Sequence, residues 1–68
     1  MMMQIEVNGE TTEVSEDATI SVLLTQLSVT GQRLAVEVNE DIVPRSQHTA
    51  FQLSAGDRVE IVHAIGGG

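Results

Sequence analysis

Cysteine is absent from this 68-residue chain, so no disulfide can staple the fold and no thiol chemistry of its own is available. A zinc site is poorly served as well, because His48 and His63 are the whole supply of nitrogen ligands. Basic residues number 3 against 10 acidic ones, for a net charge of −7. That sign repels phosphates and argues against nucleic acid as a partner. It favours solubility and partners that present a basic face. No apolar run is long enough to span a bilayer. The opening Met1-Met2-Met3-Gln4-Ile5 lacks the basic end and long apolar stretch of a secretory signal, so the expected location is the cytoplasm. Aromatic residues make up only 1% of the chain. What remains is a single small domain, near the lower size limit for folding without staples. It must rest on the 41% of apolar residues, most of them Val, Ile, Leu and Ala.

Hydropathy patterning divides the chain into short elements. Met3-Gln4-Ile5-Glu6-Val7 alternates at the strand period, with Met1 and Met2 expected to fray. Asn8-Gly9 favours a tight hairpin, because both positions tolerate positive φ. Glu10 to Val14 is the return strand, rich in Thr and weakly patterned. Ser15 to Thr19 supplies helix-cap candidates. Ile20, Leu23, Leu24 and Leu27 then recur at i, i+3, i+4 and i+7, one apolar stripe of a short helix. Glu16 and Asp17 suit the positive end of its dipole, and Gly31 is the expected terminator.

Leu34-Ala35-Val36-Glu37-Val38 is again a strand, followed by a turn at Asn39-Glu40-Asp41. Ile42-Val43-Pro44-Arg45 is extended, and Pro44 places it at an edge or a bend. Ser46 to Ala50 is polar, with His48 expected in solvent. Phe51-Gln52-Leu53 is briefly extended and Ser54 to Asp57 turns. Arg58 to Ala64 is the last strand, with Val59 and Ile61 inward and Glu60 and Val62 outward. The order β-β-α-β-β-β predicts an α+β fold, a mixed sheet packed on a single helix. The first and last strands are the best patterned and are expected to lie parallel at its centre. The domain is assigned to residues 1–65 and a glycine tail to residues 66–68.

That tail, Gly66-Gly67-Gly68 after Ile65, is hard to explain by packing, since glycine buries no side chain. It offers a thin strand of backbone with a carboxylate at its tip. Such a tip fits a narrow active site on another protein. Lysine is also missing from the chain. Chance in an acidic composition explains that, and so does the benefit of keeping amines away from an activated carboxyl.

The opening hairpin Met3-Gln4-Ile5-x-Val7, the single helix, the Gly56-Asp57 turn and the terminal diglycine together resemble a ubiquitin-like β-grasp domain. Within that group the chain is most similar to the ThiS family of sulfur carriers. Three stretches carry the likeness: Val36-Glu37-Val38-Asn39 with Ile42-Val43-Pro44-Arg45, Leu53-x-x-Gly56-Asp57-x-Val59-x-Ile61, and His63-Ala64-Ile65-Gly66-Gly67-Gly68. The small subunits of molybdopterin synthase share the turn and the diglycine but usually carry Pro-Pro ahead of the tail. His63-Ala64 stands there in this chain, which favours the thiamine branch.

The resemblance implies a carrier that is a substrate of other enzymes and binds no cofactor or metal itself. An E1-like adenylating enzyme of the ThiF type would use ATP and Mg²⁺ to adenylate Gly68. A persulfide donor would then replace AMP with sulfur, leaving 1-thioglycine, and a thiazole synthase of the ThiG type would take that sulfur. Ile65, Gly66 and Gly67 would thread the partner's active site. Val62, His63, Ile42, Val43, Pro44 and Arg45 are candidates for the docking surface. Duller roles stand beside these: Val62 as an ordinary exposed valine, His63 as a strand end, Arg45 and Arg58 as counter-charges. Glu37, Glu40 and Asp41 read as a solvated face that could meet basic partner residues. Other functions compatible with the residues are a carrier for a different sulfur acceptor, a ubiquitin-like modifier of amines, and an interaction module with an inert tail. No acid, base, nucleophile or ligand set converges by spacing, so nothing points to an enzyme.

Overall fold

The computed structural model describes residues 1–29 and 33–63. It contains β1 (Met2–Val7), β2 (Glu10–Ser15), α1 (Ile20–Gln26), β3 (Leu34–Val38), β4 (Asp41–Val43), a short 3₁₀ turn at Arg45–Gln47, and β5 (Arg58–His63). The five strands form one sheet in the order β2-β1-β5-β3-β4. β1 and β5 are parallel and every other pairing is antiparallel. The mixed sheet with its one helix is the expected α+β architecture, with β5 at the centre.

Alternation along the strands decides which face is inside. Ile5 and Val7, Val14, Val36 and Val38, Val43, and Val59 and Ile61 all point to one face and are buried. Ile20 and Leu23 of α1 close over them, with Ala18 and Leu53 sealing the loops. Leu24 and Leu27, the other half of the predicted stripe, are only partly buried at its margin. Side chains of this kind contribute roughly 1.5–3 kcal/mol each when fully buried, so a domain this small depends on every one of them.

Both hairpins turn through left-handed pairs. Asn8 (φ 48°) and Gly9 (φ 86°) join β1 to β2, and Asn39 (φ 52°) and Glu40 (φ 74°) join β3 to β4. Asn and Gly tolerate that region; a long β-carbon-bearing side chain such as Glu40 is strained there.

Four sequence expectations need correction. Met2 does not fray: it pairs with Ser15, and the Met1 carbonyl accepts the Glu16 N–H at 3.0 Å. Glu16 and Asp17 sit in a turn ahead of the helix, and its first turn holds no acid. The cap is Thr19, whose hydroxyl accepts the Val22 N–H. The helix stops before Gly31, which lies outside the described residues. Ser28 takes the left-handed position instead (φ 57°); its N–H donates to Thr25 and the Val29 N–H donates to Leu24. This 6→1 and 5→2 pair is a Schellman ending with serine where glycine is usual. Finally, His48 is buried at 5% exposure, because the 3₁₀ turn folds it under β4. Its Nε2–H donates to the Val43 carbonyl at 3.0 Å; a carbonyl can only accept, which fixes the tautomer.

Candidate functional site

The elements converge on one end of β5. The last described residue of this strand is His63, which is exposed and sits opposite Leu34 of β3. Five residues follow it in the sequence. At about 3.3–3.6 Å each they can reach roughly 16–18 Å from the sheet. Ile65, Gly66, Gly67 and Gly68, the predicted threading segment and modification site, lie outside the described residues, as does the predicted boundary after residue 65 and the Ala64 end of the last strand.

The solvent face of the sheet next to this exit is part apolar and part acidic. Val62 is 54% exposed and pairs with Ala35; Ile42 is 71% exposed and pairs with Glu37. Ala35 and Glu37 are two apart on β3 and share a face, so exposed Val62 and Ile42 lie diagonally across half-buried Ala35 in one apolar strip. Glu37 and Glu60 lie directly opposite each other beside it. Pro44 is exposed just past β4, and Arg45 begins the 3₁₀ turn behind it. Of the surface candidates named from the sequence, Val62 and Ile42 share this face from the two strands that flank β3, and Pro44 is exposed beyond β4; Arg45 instead lines a cavity with Ser21, Leu24 and His48 on the helix side. Val43 belongs to the core instead, at 6% exposure, because alternation along β4 turns it inward. Ala35 was missed, although its place between Leu34 and Val36 already put it on the outer face.

Two carboxamides tie β5 in place. Asn39 Oδ1 accepts the Arg58 N–H at 3.0 Å, and its Nδ2 donates to Asp57 Oδ1 at 3.0 Å. Asn8 Oδ1 accepts the Ile61 N–H at 2.8 Å, and its Nδ2 donates to the Ile61 carbonyl at 3.3 Å. Among the described residues no group of three His, Asp or Glu side chains could hold a metal ion, and no helix is long and apolar enough to cross a membrane.

A model of the ThiS family matches residues 3–68. The chain belongs to the ThiS family. The fold agrees: the crystal structure of a thiamine biosynthesis protein (ThiS) from Geobacter metallireducens superposes with a TM-score of 0.84 at 32% identity, covering 97% of this chain and 100% of that one. The mixed sheet on one helix is therefore the ubiquitin-like β-grasp of this family. A thiazole synthase from Paramagnetospirillum magneticum is 41% identical over 66 residues. That match covers 97% of this chain but only 20% of the synthase, so the chain spans about a fifth of that relative. An uncharacterized protein, ycf40, from Porphyra purpurea is 32% identical over 66 residues and is matched over 93% of its length.

Proposed function

We propose that this chain is a sulfur carrier of thiamine biosynthesis, acting in the cytoplasm, with Gly68 as its working group. The observation that carries the reading is the family match, which runs through the diglycine to residue 68. The β-grasp body with β5 directed toward that tail supports it. A carboxylate is a poor electrophile, so it must first acquire a leaving group. A carboxylate oxygen of Gly68 attacks the α-phosphorus of ATP on an E1-like, ThiF-type enzyme, and pyrophosphate departs. The enzyme's cationic groups and Mg²⁺ stabilise the phosphoryl charge. The terminal sulfur of a persulfide then attacks the acyl carbon and AMP leaves, giving an acyl disulfide. A thiol attacks the donor-side sulfur, the S–S bond breaks, and the thiocarboxylate departs while the donor is left in a disulfide with that thiol. The nearest reading of the acceptor is a ThiG-type thiazole synthase, since a domain similar to this chain makes up a fifth of proteins bearing that name.

In this scheme the chain is the substrate and supplies no general base or nucleophile. Glycine at positions 66 to 68 leaves the tail free of Cβ atoms where an active site must close around it. Ordering that tail costs on the order of 1–2 kcal/mol per residue, so contacts from the body must offset it. The strip Val62, Ala35 and Ile42, edged by Glu37 and Glu60, suits an enzyme surface that is apolar with a basic rim.

The deciding experiment is intact mass spectrometry of the chain after incubation with the adenylating enzyme, MgATP, a persulfide donor and a thiol reductant. The expected product is heavier by the exchange of one oxygen for sulfur, mapped to Gly68, and it yields thiazole with the synthase. Deleting Gly67 and Gly68 abolishes it. Thiocarboxylate without thiazole would move the carrier to another acceptor. Isopeptide adducts on lysines of other proteins would make it a modifier instead.

A further inference from the structure

β1 and β5 run parallel, with Glu6 beside Arg58 and Val7 beside Val59. The Glu6 N–H donates to the Asp57 carbonyl and the Asn8 N–H donates to the Val59 carbonyl, each at 2.9 Å. A parallel ladder continues by regular steps. The next step would join the Ile61 N–H to the carbonyl of residue 8, and the Ile61 carbonyl to the N–H of residue 10. The backbone cannot supply either bond, because Asn8 and Gly9 turn away through positive φ and Glu10 already belongs to β2.

The Asn8 side chain supplies both. Its Oδ1 accepts the Ile61 N–H at 2.8 Å and its Nδ2 donates to the Ile61 carbonyl at 3.3 Å. A carboxamide carries the same acceptor and donor as a peptide unit. Asn8 therefore stands in for the peptide that β1 no longer provides, and it does so across 53 positions of sequence. Beyond Ile61, Val62 and His63 are paired to Ala35 and Leu34 on the β3 side. Among the described residues, the carboxamide is thus the last β1-side tie on β5.

We infer that Asn8 is a positioning residue for the delivery of the tail, fixing the direction in which β5 leaves the sheet. This rests on the carrier reading. The carboxamide ties Ile61 on the β1 side while Glu60 and Val62 are paired to β3; without it, β5 beyond Val59 is held from the β3 side alone, and its end has more freedom to lose when the carrier docks on a partner. Asparagine suits the position because it tolerates φ 48° and places a peptide-like group two bonds from the backbone. Aspartate would keep the acceptor but set a carboxylate oxygen against the Ile61 carbonyl.

The test compares Asn8→Gly, which keeps the left-handed turn and removes only the carboxamide, with Asn39→Gly. The second variant is matched: Asn39 is also left-handed in a hairpin turn, and its carboxamide holds the first residue of β5 rather than the end. Both are studied at a temperature where urea titration shows them folded. In Asn8→Gly, amide hydrogen exchange at Ile61, Val62 and His63 is expected to accelerate about tenfold with Arg58 unchanged. With the adenylating enzyme and MgATP, KM for the chain should rise about fivefold at constant kcat, the signature of lost binding shared by ground and transition states. Asn39→Gly should leave KM unchanged, and Asn8→Asp should fall between wild type and Asn8→Gly. Unaltered exchange at Ile61 to His63 in Asn8→Gly, or an equal rise in KM for both glycine variants, would overturn the assignment. If the wild-type chain is never adenylated, the carrier reading fails, and the exchange experiment alone decides whether Asn8 holds the strand end.

Discussion

Asn39 and Asp57 grip each other across the root of β5, with Asn39 Nδ2 donating to Asp57 Oδ1 at 3.0 Å. Each also holds backbone: Asn39 Oδ1 accepts the Arg58 N–H, and Asp57 Oδ2 accepts the Ser54 N–H at 2.8 Å. The β3–β4 turn and the loop before β5 are thereby joined, although 18 residues separate them. Hydrogen bonds of this kind contribute about 0.5–1.5 kcal/mol each, more when a charge takes part. Asn39→Gly keeps the positive φ and should cost about 2 kcal/mol in urea unfolding. Asp57→Ala should cost a similar amount. The double mutant should lose less than the sum, with a coupling of about 1 kcal/mol. Strict additivity would show that the two residues act separately.

Glu40 offers the opposite opportunity. It occupies the second left-handed position of its turn at φ 74°, where Gly9 stands in the other hairpin. A non-glycine residue pays about 1–2 kcal/mol in that region, while glycine gives back part of the gain through greater freedom when unfolded. Glu40→Gly should therefore raise stability by about 0.5–1 kcal/mol, or several degrees in Tm for a domain of this size. Calorimetry checks it, and a lower Tm would mean that the Glu40 carboxylate holds something in the folded state.

His48 is the residue whose surroundings the sequence hid. Burial at 5% and the bond from Nε2 to the Val43 carbonyl make it a polar strut between β4 and the turn that follows. His48→Ala should cost about 3 kcal/mol, combining a cavity with an unmet carbonyl. His48→Gln keeps a donor of similar reach and should recover about 1 kcal/mol of that loss. Chemical denaturation of the three proteins measures both differences.

Such contrasts mark what was legible in the chain. Strict alternation in Met3 to Val7 and Arg58 to His63 told which side of each strand is buried, and that placed Val62 outside and Ile61 inside. The Asn8-Gly9 pair announced its hairpin because few residues tolerate its backbone angles. His48 and Ser28 were not legible, since their roles depend on long-range placement. A histidine among Ser, Gln and Thr reads as solvated until the 3₁₀ turn folds it under β4. Serine in a glycine position reads as helix or loop until the Val29 N–H finds Leu24. The short motif around Pro44 reads as one surface piece, and only the alternation along β4 divides exposed Ile42 from buried Val43. The double use of Asn8, turn former and surrogate peptide, shows only when residue 61 lies beside it.

Exposed Val62 and Ile42 separate docking from stability. Truncating either on an open surface should change unfolding by less than about 0.5 kcal/mol. If their strip meets the adenylating enzyme, Ile42→Ala with Val62→Ala should raise KM for the chain about tenfold, because apolar anchors at the centre of an interface carry most of its energy. The same variant compared with the thiazole synthase tells whether both enzymes use this face. Unchanged KM with both would move the docking surface elsewhere.

Glu37 and Glu60 face each other directly on β3 and β5, an arrangement that favours neither strand. Like charges at such sites repel, so Glu37→Gln should stabilise the domain by roughly 0.3 kcal/mol at low salt, with the gain fading as ionic strength rises. A partner with a basic rim gives the pair a positive use: neutralising it should slow association and flatten its salt dependence while dissociation changes little. Stopped-flow association with the adenylating enzyme, read beside urea titrations of the same variant, tests both halves. Opposite signs, greater stability with slower docking, would mean that the repulsion is retained for recognition. A variant that is more stable and docks as fast as the wild type would leave the pair as surface charge without a role in binding.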